Sequence, residues 1–258
     1  MSAAAGRLGG VAGGLRSGAG VVAVAVVIVI AWAAAAAGTR ALGTPVDTVR
    51  VLGEGIADGW LLPNALATYR AVVVGFVLAL LVGLVGGAWL GRDAYWRAVL
   101  EPVLLGMYSI PKVTLYPVMI LFLGLTLESR VAMSFIHAVF PILFAVMIGV
   151  REIEPVHLRL TRSLRVSPAH ALVAVYIPSV APTLVAGARM GFSLAVIGVV
   201  LAELFAAKEG LGRRVMDAYG RFDLEGMFAV ILFLFLSAMA VNSLFWLVER
   251  RLRRHLAA

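Results

Sequence analysis

The sequence predicts an all-α, polytopic membrane protein with about six transmembrane helices. Of its 258 residues, 62% are apolar and only 14% are charged, which is more apolar surface than a soluble domain of this size can bury. The apolar residues are gathered into runs of about 20, the length that crosses a bilayer as an α-helix. Short, arginine-rich segments separate these runs, as is typical of the loops of membrane proteins.

Six apolar runs mark the expected spans, which we assign to a single transmembrane domain of residues 20–250. They are residues 20–38, 67–90, 102–124, 130–149, 183–207 and 227–248. The first run could instead be a cleavable signal peptide, but it exceeds the apolar core of about 7–15 residues found in such peptides. A retained helix is therefore preferred. Residues 1–19 and 251–258 are interpreted as a flexible and a basic cytoplasmic tail.

Proline and glycine set the expected local geometry. Pro111, Lys112 and Pro117 interrupt the third span, so this helix should be kinked or unwound where it faces protein or a water-filled cavity. Gly83, Gly87 and their neighbour Gly91 recur at every fourth position of the second span. This spacing would let another backbone approach closely, although glycine is also simply common in membrane helices. Before that span, Thr44 followed by Pro45 predicts a short surface helix.

A polar segment of residues 151–178 leads into the fifth span and is too charged to lie in hydrocarbon. Val156, Leu160 and Leu164 recur at intervals of four residues, which places them in one stripe on a helix. Ser167 followed by Pro168 predicts the start of a second short helix. A polar platform fused to a spanning helix indicates a protein that receives force or a signal from a soluble partner.

An even number of spans places both termini on the same side of the membrane. Assigning that side to the cytoplasm gives the inner loops and tails the larger share of the arginines, including those of the polar segment. We therefore expect a multi-pass protein of the cell (plasma or inner) membrane with both termini cytoplasmic. The formal charge of +8 is explained by these loops and predicts no nucleic-acid partner. The lipid bilayer is the expected surroundings.

Several patterns, in the same order, resemble those of the permease subunits of ABC importers, most closely the nitrate/sulfonate/taurine branch. The resemblance extends over roughly residues 43–250 and depends on the order of the motifs, since no single one is decisive. The motifs are TPVDTVRVL (44–52), SIPKVTLYPVMILFLGLT (109–126), FPILF (140–144), GVREIEP (149–155), LRVS (164–167), YIPSVAP (176–182) and GARMGFSLAVIGVVLAELFAAKEGLGRRV (187–215).

The resemblance implies a type I importer permease fold and a set of partners. These are two cytoplasmic ATPase subunits that bind ATP and Mg²⁺, a second permease copy or a sister permease, and an extracytoplasmic solute-binding protein. It also implies that residues 151–178 form the loop that couples to the ATPases through short helices fitting a groove. The residues assigned to ATPase coupling are Glu154, Arg159, Leu160, Arg162, Leu164, Arg165, Ser167 and Pro178.

This loop departs from the family pattern, which usually begins Glu-Ala-Ala and has a glycine shortly before the serine. The chain has Arg159, Leu160 and Thr161 at the first three positions and Arg165 at the glycine position. The apolar stripe is kept while the charge is reversed. Either the partner ATPase has a compensating acidic groove, or this subunit couples weakly beside a better-coupled second permease. The arginines, Arg162 among them, could also serve only to keep the loop in the cytoplasm.

Ionisable residues within apolar spans are the first candidates for a solute pathway, because a central charge there costs at least about 2.5–3.5 kcal/mol. Lys112 and Arg189 would bias the pathway toward anionic solutes, or they snorkel or pair with carbonyls at helix ends. Glu203 is about 21 Å further along the helix than Arg189 and cannot pair with it there. His137 is interpreted as an interhelical hydrogen-bond partner rather than a proton relay. The pathway candidates are Tyr108, Lys112, Tyr116, Arg189 and Glu203.

The chemistry missing from the sequence narrows the function. There is no G-x-x-x-x-G-K-[ST] phosphate loop, no H-E-x-x-H, no G-x-S-x-G and no cysteine. The chain is therefore not expected to be an enzyme or to hold a cofactor or metal. The favoured function is a permease subunit of an ATP-driven importer of a small anionic solute such as a sulfonate, taurine or a nitrate-like compound. The alternative is an ion-coupled secondary transporter, which should show inverted repeats and intramembrane acids.

Overall fold

The computed structural model describes residues 20, 23–38 and 43–256, and within these residues it contains helices and no strand. The helices are α1 (Ala23–Gly38), α2 (Pro45–Ala57), α3 (Leu61–Arg92), α4 (Ala94–Ser109), α5 (Tyr116–Leu123), α6 (Leu127–Arg151), α7 (Pro155–Ser163), α8 (Pro168–Ala171), α9 (Ile177–Phe205), α10 (Leu211–Gly220) and α11 (Leu224–Leu256). A 3₁₀ turn (Lys112–Leu115) precedes α5, and a π-helical stretch (Leu172–Tyr176) joins α8 to α9. The expected N-terminal tail lies outside the described residues.

Four helical runs are long and apolar enough to cross a membrane: α3, α6, the run Pro168–Phe205 that includes α9, and α11. The third expected span is a bent pair, in which α4 and the segment Lys112–Leu123 meet at 81°. The first expected span is the shorter apolar helix α1. In the part of the chain that the structure describes, the six expected spans are thus four long helical runs, one bent pair and one shorter helix.

The bend confirms the predicted break in the third span. Pro111 cannot donate a backbone hydrogen bond, and a proline disfavours the helical conformation of the residue before it. Ile110 accordingly has extended dihedral angles (φ −63°, ψ 133°) and ends α4. The 3₁₀ turn begins at Lys112, immediately after the proline. The chain therefore changes direction where the sequence removes both the donor and the helical conformation.

Helix α6 is the centre of the bundle and is enclosed by glycine-lined faces of α3 and α9. A Cβ atom on Gly87 would lie 2.5 Å from the carbonyl oxygen of Leu143, and one on Gly198 would lie 2.8 Å from that of Met133. Gly83 and Gly91 meet α6 in the same way. The close approach predicted from the glycine spacing is confirmed, and α6 packs by backbone contact on two sides.

The helix of the fifth expected span, residues 183–207, begins well before residue 183. The polar segment does not end before the span begins, because α8, the π-helical stretch and α9 form one helical run from Pro168 to Phe205. Pro178 lies in the first turn of α9, where a missing N–H is tolerated. The second platform helix, α8, and the spanning helix are therefore one continuous element, and α7 is joined to it by the turn at residues 164–167.

Both predicted helix starts are confirmed. The Thr44 hydroxyl oxygen accepts a hydrogen bond from the Asp47 backbone N–H (3.1 Å) and begins α2. The Ser167 hydroxyl oxygen accepts one from the His170 backbone N–H (3.3 Å) and begins α8. At the other end of the chain, α11 continues through the residues expected to form the basic tail as far as Leu256.

Candidate functional site

The platform consists of α7 and α8, and α7 exposes an apolar face that its own chain leaves uncovered. Val156, Leu160 and Leu164 are exposed, whereas Leu158 of the same segment is partly buried and packs against the bundle core. This segment packs against the bundle through one leucine and exposes a stripe of apolar residues on its other side. That is the pattern of a binding surface. The predicted stripe is therefore formed and is free on the described chain.

The end of α7 explains the glycine position of the family pattern. The Val166 backbone N–H donates to the carbonyl oxygen of Thr161 (2.9 Å), and Arg165 between them has φ +51°. This is the arrangement that closes many helices, and its left-handed residue is usually glycine because a Cβ is strained there. The chain keeps the turn and places an arginine in it.

The other coupling candidates lie along the same segment. Glu154 and Arg159 are exposed, and the Arg159 Nε donates only weakly, at 3.4 Å, to the carbonyl oxygen of Pro155. Arg162 is a residue of α7, Ser167 begins α8, and Pro178 opens α9. Neither Arg159 nor Arg165 makes an ion pair within the described residues. The platform thus presents uncompensated positive charge beside its apolar stripe.

Lys112 lies at the break of the third span and closes the end of α4. Its Nζ donates to the carbonyl oxygen of Tyr108 (2.8 Å) and lies 4.3 Å from the centroid of the Tyr108 ring and 5.6 Å from that of Phe140. A cation over aromatic faces beside a helix C-terminus is favourable without a bound anion. This geometry supports the alternative in which Lys112 pairs with a carbonyl at a helix end.

Arg189 also has a partner within the chain. Its Nη1 is 3.5 Å from a carboxylate oxygen of Glu249 on α11. One turn along, the Asn242 side-chain amide donates to the Ser193 hydroxyl (3.2 Å). These contacts form a polar seam between α9 and α11. His137 has a partner as well, but on its own helix: Nδ1 lies 2.8 Å from the Met133 carbonyl oxygen, which corrects the expected interhelical contact.

Glu203 lies at the end of α9 opposite to the platform and is fully buried. Its carboxylate accepts hydrogen bonds from the Thr68 hydroxyl (2.8 Å), the Gly212 backbone N–H (2.9 Å) and Arg130 Nη1 (3.3 Å). These donors come from α3, α10 and α6. A buried charge with an opposite charge and hydrogen bonds on several sides is the arrangement that a low-dielectric interior requires. We call Glu203, Arg130 and Thr68 the buried polar cluster.

Sequence reasoning did not identify Arg130 as a candidate site residue. Two facts could have pointed to it. Helices α6 and α9 run in opposite directions, and Arg130 lies in the first turn of α6 while Glu203 lies in the last turn of α9. The candidate Tyr116 lies beside the same end of the bundle, where its hydroxyl donates to the Ala206 carbonyl oxygen (3.0 Å). Tyr116 and Glu203 are both buried within the chain, so their assignment to the pathway stays a prediction. Tyr108 is partly buried against Phe140.

Within the described residues, no group of three His, Cys, Asp or Glu side chains could hold a metal ion. The described residues form a solvent-exposed platform at one end of α9 and a buried polar cluster at the other, in a bundle with four helical runs long and apolar enough to cross a membrane. These features define the class of multi-pass membrane proteins. Residues 62–254 match the family of binding-protein-dependent transport system inner membrane components, and the chain belongs to that family.

Relatives and solved structures agree with this assignment. The chain is 31% identical to a probable ABC transporter permease protein of Haemophilus influenzae over 71% of this chain and 75% of that one. It is 26% identical to the taurine transport system permease protein TauC of Escherichia coli (77% and 72% covered). It is also 28% identical to the putative aliphatic sulfonates transport permease protein SsuC of Bacillus subtilis (82% and 76% covered).

A chain of the inward-facing MetNI methionine ABC transporter superimposes with a TM-score of 0.68 at 18% identity, covering 76% of this chain and 97% of that one. The fold is therefore that of a type I importer permease, as the sequence resemblance implied. The protein is a multi-pass permease subunit of an ABC importer.

Proposed function

We propose that this permease is driven by two cytoplasmic ABC ATPases that dock on residues 151–178, and that it forms the solute pathway together with a second permease. The observation that carries the proposal is the continuity of α8, the second platform helix, with α9 in one helical run from Pro168 to Phe205. At 1.5 Å per residue this run is about 57 Å long. A displacement applied at α8 is therefore applied to a helix that spans the whole bundle, and α7 is connected to α8 by only four residues.

The packing of α9 supports the same mechanism. Gly187, Gly191 and Gly198 bring α9 against the backbone of α6, and tightly packed interiors transmit strain rather than absorb it. Closing of the ATPase pair around ATP would tilt α9 and carry α6 with it. This alternates the access of the pathway, while ATP and Mg²⁺ stay on the partner subunits.

The charge of the platform specifies the ATPase partner. Arg159 and Arg165 are exposed beside the apolar stripe, so a docking groove of complementary potential carries acidic side chains at its rim. Replacement of Arg159 by Glu should then weaken docking. If this subunit instead couples weakly beside a better-coupled second permease, the same replacement leaves docking unchanged.

The proposed solute is a small anion such as a sulfonate, taurine or a nitrate-like compound, delivered by an extracytoplasmic binding protein. The support is the similarity to permeases named for taurine and aliphatic sulfonates. Lys112 and Arg189 give no further support for an anionic solute, because each has a partner within the chain. Competition of unlabelled methanesulfonate, taurine and nitrate against uptake by the complete transporter in proteoliposomes tests the solute class. Uptake that persists without ATP and follows an ion gradient would overturn the ATP-driven function.

ATPase docking is tested by the exposed stripe. Leu160 is 51% exposed, and a glutamate there places a charge in an apolar contact without disturbing the core. The matched control is Ile56→Glu on α2, at 53% exposure, on the side assigned to the exterior. We expect Leu160→Glu to abolish retention of ATPase activity by the tagged permease extracted from its native membrane, and Ile56→Glu to keep it. Equal retention by the two variants would refute docking through this stripe.

A further inference from the structure

A cavity of about 240 Å³ opens beside the buried polar cluster, at the end of the bundle opposite to the platform. One wall is apolar and is formed by Leu125, Leu127 and the alanines that follow α9. The polar residues around it are Thr126, Arg130, Lys208 and Glu209. An apolar wall with a few convergent polar groups is the usual form of a small-molecule site, and this one has two cations at its polar end.

Arg130 forms the polar floor of the cavity and is held in place by the buried Glu203 carboxylate. Its side chain is only 7% exposed, and Nη1 donates to the buried Glu203 carboxylate at 3.3 Å. Its other terminal nitrogen, Nη2, is directed at the Glu209 carboxylate at 2.9 Å. A guanidinium fixed on one side by a buried carboxylate presents oriented donors on its other side, where the Glu209 carboxylate lies in this structure and where a carboxylate or sulfonate of a solute has the same geometry.

The two carboxylates on Arg130 differ sharply in how firmly they are held. Glu203 is fully buried and has three kinds of donor, whereas the Glu209 side chain is 61% exposed and belongs to the loop between α9 and α10. The exposed Glu209 carboxylate can be solvated by water when it separates from Arg130, whereas Glu203 has no access to solvent. Glu209 is therefore the exchangeable partner of Arg130, and Glu203 is the fixed one.

We propose that this cavity is a binding site for the anionic group of a small organic sulfonate or carboxylate, and that Glu209 occupies the anion position when the site is empty of solute. The inference rests on the proposed anionic solute class. On binding, the solute oxyanion replaces the Glu209 carboxylate on Arg130 Nη2, so the charge balance of the cluster is unchanged. Lys208, which makes no ion pair within the described residues, supplies the second positive charge. The carbon skeleton lies against the leucine wall.

Titration of the full-length permease, purified in an uncharged maltoside detergent, tests the site. The probes are methanesulfonate and dimethyl sulfone, a neutral molecule of similar size, followed by ligand-observed NMR or calorimetry. We expect methanesulfonate to bind and dimethyl sulfone not to bind. Glu209→Gln removes the competing charge and should tighten methanesulfonate binding by about two- to fivefold, the range of an exposed ion pair. Lys208→Gln should weaken it by a similar factor.

Both substituted residues are exposed, so the variants should fold, and a thermal unfolding scan in the same detergent verifies this. An unchanged or weaker affinity of Glu209→Gln would overturn the proposal, and so would equal binding of the charged and neutral probes. A lipid phosphate offers the same oxyanion chemistry. Titration with dihexanoyl phosphatidylglycerol against dihexanoyl phosphatidylcholine separates that source, and binding of the anionic lipid without binding of methanesulfonate would likewise overturn the solute site.

The failure of this site and the failure of the proposed function are distinguishable. Competition during uptake by the complete transporter reports the solute class, whereas titration of the permease alone reports the cavity. Anion-specific uptake without methanesulfonate binding would rule out the solute site in the cavity and leave the proposed function in place. Binding that tightens in Glu209→Gln but accompanies uptake of a cationic or neutral solute removes the proposed solute class instead.

Discussion

Glu203 shows how one buried acid can join elements that are far apart in the sequence. Its carboxylate receives donors from α3, α6 and α10, and the Thr68 hydroxyl oxygen in turn accepts from the Leu211 backbone N–H (2.8 Å). The first turn of α10 is therefore satisfied by side chains of other helices rather than by a capping residue of its own. The position of α10 depends on the charge state and geometry of the cluster.

Replacement of Glu203 by glutamine should destabilise the permease strongly. The change leaves the buried Arg130 guanidinium with only the exposed Glu209 as a counter-charge, and breaking a buried pair costs about 3–5 kcal/mol. The midpoint of thermal unfolding in detergent measures the loss. Glu209→Gln is the matched control, because it removes an exposed carboxylate from the same arginine and should change stability by only about 0–1 kcal/mol. Equal shifts for the two variants would contradict the central role of Glu203.

Arg165 makes a second prediction at the residue scale. With φ at +51°, the arginine is in a left-handed conformation that costs an L-residue about 1–2 kcal/mol. Arg165→Gly should relieve this strain and slow hydrogen exchange of the Val166 amide at the end of α7. Arg159→Gly is the control: it removes the same charge from an ordinary helical position and should destabilise α7 by about 1 kcal/mol. Faster exchange in Arg165→Gly would contradict the strained turn.

The pairing of polar residues could be predicted from the sequence only where it is local. Lys112 donates to the carbonyl oxygen of Tyr108, four positions earlier. This acceptor is available because the proline between the two residues ends α4. The partners of Glu203 and Arg189 come from α6 and α11, and a helix period contains no information about which neighbouring helix supplies a charge. Lys112, Arg189 and Glu203 were chosen as isolated charges, and the structure gives each of them a partner within the chain.

At the scale of elements, the glycine-lined faces of α3 and α9 determine how the bundle packs. The spacing of Gly83, Gly87 and Gly91 was sufficient to predict a close helix contact, since it depends only on the helical period. It did not predict that the partner would be α6, nor that α9 would approach α6 from the other side. Likewise the apolar period located α9 but not its start. The reason is that α8 of the amphipathic platform continues into α9 without an interruption of the helix.

The packing of α3 on α6 should be sensitive to a single methyl group. In Gly87→Ala the new Cβ would lie 2.5 Å from the Leu143 carbonyl oxygen, and a backbone atom cannot rotate away. Overpacking of this kind costs about 1–3 kcal/mol, which a thermal unfolding scan detects. The adjacent Gly86→Ala is the control, since its Cβ would meet only a Leu143 methyl carbon at 3.4 Å. Helix propensity favours alanine over glycine in both variants, so comparable losses of stability in the two would contradict a specific steric contact between Gly87 and α6.

At the scale of the whole molecule, α9 connects the two ends of the protein. Its first residues continue the platform on which the ATPases are proposed to dock, and its last turn carries Glu203, which holds α10 and the floor of the proposed anion cavity. Motion that begins at the platform therefore reaches the cavity through one helix. This gives a direct physical route by which ATP binding on one side could change solute affinity on the other.

That route requires α7 and α10 to lie on opposite sides of the membrane, with α7 in the cytoplasm. The chain has no cysteine, so single substitutions can be labelled without background. In right-side-out vesicles, a membrane-impermeant maleimide should label Tyr219→Cys on α10 and spare His157→Cys on α7, and inverted vesicles should reverse the result. Val85→Cys, on the apolar face of α3, should be labelled in neither. Labelling of both cysteines from one side would mean that α9 does not cross the bilayer. Labelling of His157→Cys but not Tyr219→Cys in right-side-out vesicles would place the platform away from any cytoplasmic ATPase.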